Sequence, residues 1–161
     1  MKPAPSAGIL LFRRRGRGLE VLLAHPGGPY WSRQDRGSWS VPKGIAEADE
    51  APEAVAAREF AEETGFELGA VALAASRAPV DLGEVTLKSG KVIHAWAVEG
   101  DLDPELAHSN EFEIEWPPRS GRRQMIPEVD RVAWFDPDEA RKRAHPAQAA
   151  FVDRLEAALG S

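Results

Sequence analysis

The stretch REFAEETGF, residues 58–66, puts Glu59, Glu62 and Glu63 on one helix, with a glycine closing it. At about 100° per residue, Glu62 lies about 60° to one side of Glu59 and Glu63 about 40° to the other. The carboxylates therefore share a face, and Ala57, Phe60, Ala61 and Thr64 are expected on the packing side opposite them. Acids near the C-terminal end of a helix oppose its dipole. Like charges three and four residues apart also repel, by a few tenths of a kcal/mol per pair. An arrangement that weakens the bare helix calls for a ligand that compensates. Hard divalent cations take oxygen donors, and Mg²⁺ combines a few carboxylates with substrate phosphates. Such an ion polarises a phosphoryl oxygen and activates water, so the chemistry these residues imply is hydrolysis at phosphorus. Arg58, four residues before Glu62, is spaced to pair with it.

These side chains need elements to hold them. The apolar runs AGILLFRR and LEVLLAH flank RGRG and predict a hairpin. Residues 26–38 are rich in Gly, Pro and Ser and predict a long loop, and WSVPKG an extended piece ending at Gly44. Pro52 suits the first turn of the acidic helix and Gly65 its C-terminal cap. Strands are expected around 69–79, 84–89 and 91–98, with KSG as a tight turn. EFEIEW alternates acidic and apolar residues as a half-buried strand does. PPRSGRRQMIP reads as loop, RVAWF as a last strand, Asp136 as an N-cap and PAQAAFVDRLEAAL as a final amphipathic helix. Strands, helix, strands, helix points to an α+β, mixed-sheet sandwich rather than a doubly wound parallel sheet. The length of 161 residues fits one domain spanning 1–161.

Net charge is −6 and the isoelectric point about 5.3, which argues against a nucleic acid polymer as partner, since coating its backbone requires a basic face. With no cysteine, disulfides, thiolate catalysis and cysteine-held zinc are excluded. The apolar run in MKPAPSAGILLFRRR is too short for a signal peptide or a membrane span. The expected location is the cytoplasm, with no membrane partner. The calcium loop D-x-[DN]-x-[DN]-G and the Walker G-x-x-x-x-G-K-[ST] are absent from the sequence. His25 and His94, in or beside apparent strands, read as structural.

From Gly44 the chain runs GIAEADEAPEAVAAREFAEETGF. This stretch resembles the Nudix box, G-x5-E-x7-R-E-U-x-E-E-x-G-U with U aliphatic. Gly44, Glu50, Arg58, Glu59, Glu62, Glu63 and Gly65 fall in register, while both U positions hold phenylalanine, Phe60 and Phe66. The resemblance implies an α/β/α sandwich with a mixed sheet. It implies a hydrolase that uses Mg²⁺ or Mn²⁺ to cleave a diphosphate linked to a nucleoside or similar group. It casts Glu59, Glu62 and Glu63 as metal ligands, Gly44 as a sharp turn offering a carbonyl at Lys43 or Gly44, and Arg58 and Glu50 as residues that orient the carboxylates. Family members often carry a further carboxylate a few residues before a tryptophan strand. Glu128, six residues before Trp134 in PEVDRVAW, matches as an extra ligand or general base, with Glu111, Glu113 and Glu115 as rivals. The general base is Glu62, Glu63 or Glu128.

WSVPKG is similar to the corresponding stretch of diadenosine polyphosphate hydrolases in that family. Lys43 can meet a phosphate as a point charge, and Arg119, Arg122 and Arg123 can grip a polyphosphate chain. Tyr30 and Trp31, in the Gly/Pro-rich loop, are candidates to stack on a base, whereas Trp39 and Trp134 read as core. The expected substrate is a dinucleoside polyphosphate. The alternatives are a nucleoside triphosphate or a non-catalytic nucleotide-binding role on the same scaffold, and a homodimer is a further expectation from the family.

Overall fold

The computed structural model describes residues 5–16, 18–47, 49–73 and 78–160. Its centre is β1 (Ser6–Arg15), whose apolar residues point alternately to the two faces of the sheet. Leu10 and Phe12 pack with Val21, Leu23, Trp39, Phe151 and Leu155 on one side. Ile9 and Leu11 pack with Leu22, Val55, Phe60 and Trp96 on the other. Both faces being covered explains why β1 and β2 (Gly18–Pro26) read as unbroken apolar runs. The two form the expected antiparallel hairpin, with Phe12 opposite Val21 and Arg15 opposite Gly18.

The further strands are β3 (Lys43–Ile45), β4 (Val80–Thr86), β5 (Val92–Glu99), β6 (Glu111–Glu115), β7 (Arg123–Pro127) and β8 (Val129–Phe135). The main sheet runs β4-β5-β1-β2-β8, with β5 parallel to β1 and the other neighbours antiparallel. One edge of β1 is shared. Its C-terminal half pairs with β2, and Ser6–Gly8 pair with β3. That division inserts Lys43 and Gly44 beside the sheet centre. Helix α1 (Pro52–Thr64) covers one face. The other face is covered by α3 (Pro137–Arg143) and α4 (Ala149–Gly160). This is the mixed-sheet α/β/α sandwich expected.

Several local expectations change. Leu68–Val71, inside the stretch expected as a strand from 69, is a short helix, α2, and residues 74–77 of that stretch lie outside the described residues. Residues 123–127, expected as loop, form β7, which pairs with β6 in a separate two-stranded sheet. β6 itself is largely exposed rather than half-buried. Glu111, Glu113 and Glu115 lie on this strand. Glu115 accepts backbone N–H bonds from Arg119 (3.1 Å) and Gly121 (3.1 Å) across the turn, and Glu113 pairs with Arg123.

Gly65 ends α1 with φ 80° and donates its N–H to Ala61 O at 2.8 Å, the left-handed cap that glycine adopts without strain. Asp136 caps α3 by accepting from Glu139 N at 2.8 Å. Phe60 is fully buried between α1 and the sheet, so the aromatic ring at that position of the box serves as core. Phe60→Ala is expected to cost about 3–5 kcal/mol, read as a lower urea midpoint with an unchanged slope.

Candidate active site

The packed face of α1 is only partly the one the helical wheel suggested: Phe60 and Thr64 are buried as expected, but the face is rotated toward the acids. Val55, Ala56, Glu59, Phe60, Glu63 and Thr64 are buried, whereas Ala57 and Ala61 are only partly covered. Glu59 and Glu63 therefore face the sheet, and Glu62 turns to the rim. Burial makes the charge problem larger than the sequence implied. It raises the Glu59 carboxyl above the usual range, with Glu62 adding to the effect. It pushes Glu63 up to about 8, against the opposing pull of Lys43 and with further help from Glu128 and Glu59.

One guanidinium organises the rim. Arg58 donates Nε to Glu50 Oε2 (2.9 Å) and Nη2 to Glu50 Oε1 (2.8 Å), a two-pronged pair. Its Nη1 reaches Glu59 Oε1 (3.0 Å) and Glu62 Oε1 (3.2 Å), and Nη2 also donates to Ile45 O (3.0 Å). Arg58 thus ties α1 to β3 and to the loop before the helix, and it aims Glu59. Glu50 is fixed further by Glu47 N at 2.8 Å, and the hydrogen bonds from Arg58 hold its carboxyl below the usual range.

Across from α1, β3 comes so close that a Cβ at Gly44 would collide with the Glu59 carboxyl group. Glycine is required there for space, since its backbone is not left-handed. Lys43 N donates to Glu63 Oε1 at 3.4 Å. Glu128 arrives between β7 and β8. Asn110 links it to the helix: its N–H donates to Glu62 O (2.8 Å), and its carbonyl accepts from Glu128 N (3.0 Å). His108 N donates to Thr64 O at 3.0 Å. Together these bonds satisfy carbonyls at the negative pole of α1.

The result is a group of carboxylate oxygens from Glu59, Glu63 and Glu128 that lie within 4.8 Å of one another. Glu62 is not part of that group. Two buried carboxylates raised by burial, joined by a third, form a donor set that suits a hard divalent cation, which would neutralise them.

Glu63 and Glu128 of this group line a cleft of about 520 Å³, together with Lys43, Lys91, Trp31, Phe112, His145 and Gln148 among others. Lys91 enters from the turn between β4 and β5. Burial, then the Lys43 ammonium, pulls it below the usual lysine range, and Glu63 opposes them. Trp31 is held by the loop that carries it. His25 Nε2 donates to Gln34 O (2.6 Å) while Nδ1 meets Asp130 Oδ1 (2.8 Å), and Asp35 accepts from Trp39 Nε1 (2.8 Å) and Arg143 Nη1 (2.8 Å). His25 is thus a fully buried structural residue. His94 is only partly covered; it stacks on Trp96 and pairs with Asp81. Tyr30 does not line the cleft and packs edge-on against Trp116. Arg119, Arg122 and Arg123 sit exposed at the β6–β7 turn, and none of them lines the cleft.

A family model described as NUDIX domain matches residues 2–155. The chain belongs to the Nudix hydrolase family. Its Nudix fold is shared by an Ap4A hydrolase of C. elegans in a binary complex, with a TM-score of 0.67, 18% identity and coverage of 96% of this chain and 98% of that one. It is shared by the Nudix hydrolase RenU of M. smegmatis, with a TM-score of 0.60, 24% identity and coverage of 99% and 88%. The NUDIX domain of Shewanella oneidensis NrtR complexed with ADP ribose also superposes, with a TM-score of 0.62, 17% identity and coverage of 99% and 90%. In sequence, the chain is 33% identical over 143 residues to an octanoyltransferase of Myxococcus xanthus, covering 88% of this chain. The chain spans about a third of the length of that curated relative. The Nudix assignment accounts for the acids at the end of α1, since generally such hydrolases use divalent metals. No described helix is long and apolar enough to cross a membrane.

Lys91, Phe112, Asn110, His145 and Gln148 escaped the sequence reading. Lys91 directly follows the recognised KSG turn, which is a signal, but nothing in the sequence says that this turn borders the acids.

Proposed function

We propose that this Nudix protein hydrolyses a phosphoanhydride bond in a nucleoside diphosphate-linked substrate, a dinucleoside polyphosphate first, with Mg²⁺ or Mn²⁺ held by Glu59, Glu63 and Glu128. The observation that supports this most is the convergence of those carboxylates, two of which, Glu63 and Glu128, line a cleft that also holds Lys43 and Lys91. The bound ion supplies positive charge to phosphate oxygens as negative charge builds there. Lys43 and Lys91 grip neighbouring phosphates as point charges. Arg58 and Glu50 keep Glu59 oriented, and Glu62 stays at the rim on Arg58. Glu63 or Glu128 takes the proton from the attacking water.

The preference for a dinucleoside polyphosphate rests on the WSVPKG stretch and on the paired lysines, which lie in the cleft where the arginine cluster does not. The test is chromatographic identification of products from diadenosine tetraphosphate, nucleoside triphosphates and ADP-ribose. The expected result is Mg²⁺-dependent turnover, highest on diadenosine tetraphosphate and abolished by chelator. Turnover confined to nucleoside triphosphates would move the substrate to the alternative class. Nucleotide binding with no turnover on any of them would leave a binding role on the scaffold.

A further inference from the structure

The cleft extends beyond the carboxylates to a wall whose polar atoms the proposed hydrolysis does not use. His145 and Gln148 line it, together with Ser40 and Trp31. His145 precedes a short 3₁₀ turn, Pro146–Gln148, and caps it: Ala147 N donates to His145 Nδ1 at 3.2 Å. That bond needs a lone pair on Nδ1, so the proton of the neutral ring resides on Nε2. Among the described residues Nε2 makes no hydrogen bond. The ring is anchored as well, since His145 N donates to Trp39 O at 2.8 Å.

Gln148 is fixed with equal firmness. Its Oε1 accepts from Val41 N (2.9 Å), which settles the orientation of the amide, and its Nε2 donates to Ser40 Oγ (3.0 Å). The wall therefore consists of side chains locked by the backbone, with His145 Nε2–H as a free donor. Ser40 precedes Lys43 by three residues, at most about 10 Å of extended chain. That distance is spanned by a sugar between a phosphate and its base. Exposed indole and phenyl surfaces at Trp31 and Phe112 border the same cleft, and aromatic faces stack on bases whatever their identity.

We infer that this wall is the base-recognition end of the cleft, and that His145 selects the substrate by donating Nε2–H to an acceptor on the edge of a nucleobase lying against Trp31. The inference rests on the nucleotide reading above and adds the residue that reads the base. A hydrogen bond lost from such a site weakens binding by about tenfold.

The test uses two variants. His145→Phe keeps a ring and removes the donor. His145→Asn keeps an oxygen to cap Ala147 but is too short to present a donor to the base. Calorimetric titration with a non-hydrolysable nucleoside polyphosphate in Mn²⁺ is expected to show about tenfold weaker binding in both variants. Inorganic tripolyphosphate, which has no base, is expected to bind all three proteins alike, and any turnover is expected to change in KM and not in kcat. Unchanged nucleotide affinity in both variants, or equal weakening for nucleotide and tripolyphosphate, overturns the assignment of His145. Failure of the unaltered protein to bind any nucleotide while still binding tripolyphosphate overturns the nucleotide reading itself, and the role of His145 falls with it.

Discussion

Glu63→Gln is expected to reduce turnover by about 10²–10⁴-fold, the usual contribution of a positioned proton acceptor, and at the same time to stabilise the metal-free protein at pH 8. The two effects have one cause. Glu63 is almost fully covered, and burial pushes its carboxyl up to about 8 from an ordinary 4.5. Between those values the folded chain holds a proton that the unfolded chain has released. The stability that Glu63 contributes to the metal-free protein is thus fully present below about pH 4.5 and is lost as pH rises through about 8. The slope approaches about 1.4 kcal/mol per pH unit where the difference is a whole proton. Glutamine is uncharged and close in shape, so the slope should become shallower, leaving the part that the raised Glu59 carboxyl supplies. Urea unfolding with chelator at pH 5 and pH 8 measures it. The same carboxyl makes cation binding compete with a proton, so Mn²⁺ affinity should rise from pH 6 to pH 8 in the unaltered protein and much less in the variant. An identical pH slope in both proteins would mean that Glu63 is already ionised in the fold.

That opposition between stability and activity was only half legible in the sequence. The spacing of Glu59, Glu62 and Glu63 showed that the acids share a helix face, and their position at the wrong pole suggested a ligand. Which way that face points is a tertiary matter. The wheel gave the packing side to Ala57 and Ala61, but helix packing is set by the sheet beneath, and β3 lies against Glu59. The hairpin of β1 and β2 was readable because both strands are covered on two faces and so are apolar throughout. β7 was not, because its residues Arg123, Gln124 and Met125 are exposed and leave no apolar alternation to detect. Glu128 could be nominated only through the family resemblance. Its approach to Glu63 depends on Asn110, which acts through its backbone and so leaves no side-chain signature. Lys91 and His145 are far apart in sequence yet reach the same cleft, a juxtaposition made by the sheet order and invisible to local pattern.

Gly44→Ala is expected to lower Mn²⁺ affinity at least tenfold and turnover about 10²-fold, with little change in thermal stability. The backbone at Gly44 lies outside the left-handed region, so alanine adopts it without strain. The atoms nearest the added methyl all belong to the end of the Glu59 side chain, a flexible group that can swing aside. Swinging aside breaks its 3.0 Å bond from Arg58 and carries it away from Glu63 and Glu128. A displacement of about 1 Å at a reacting centre costs on the order of 10²-fold. The fold loses little, because Arg58 keeps its two-pronged hold on Glu50. Glu59→Ala alone should cause a similar loss, and Gly44→Ala combined with Glu59→Ala should be no worse than either. Such non-additivity is the signature of two substitutions acting through one contact. Additive losses would show that Gly44 acts through the backbone of β3 and not through the carboxylate it faces.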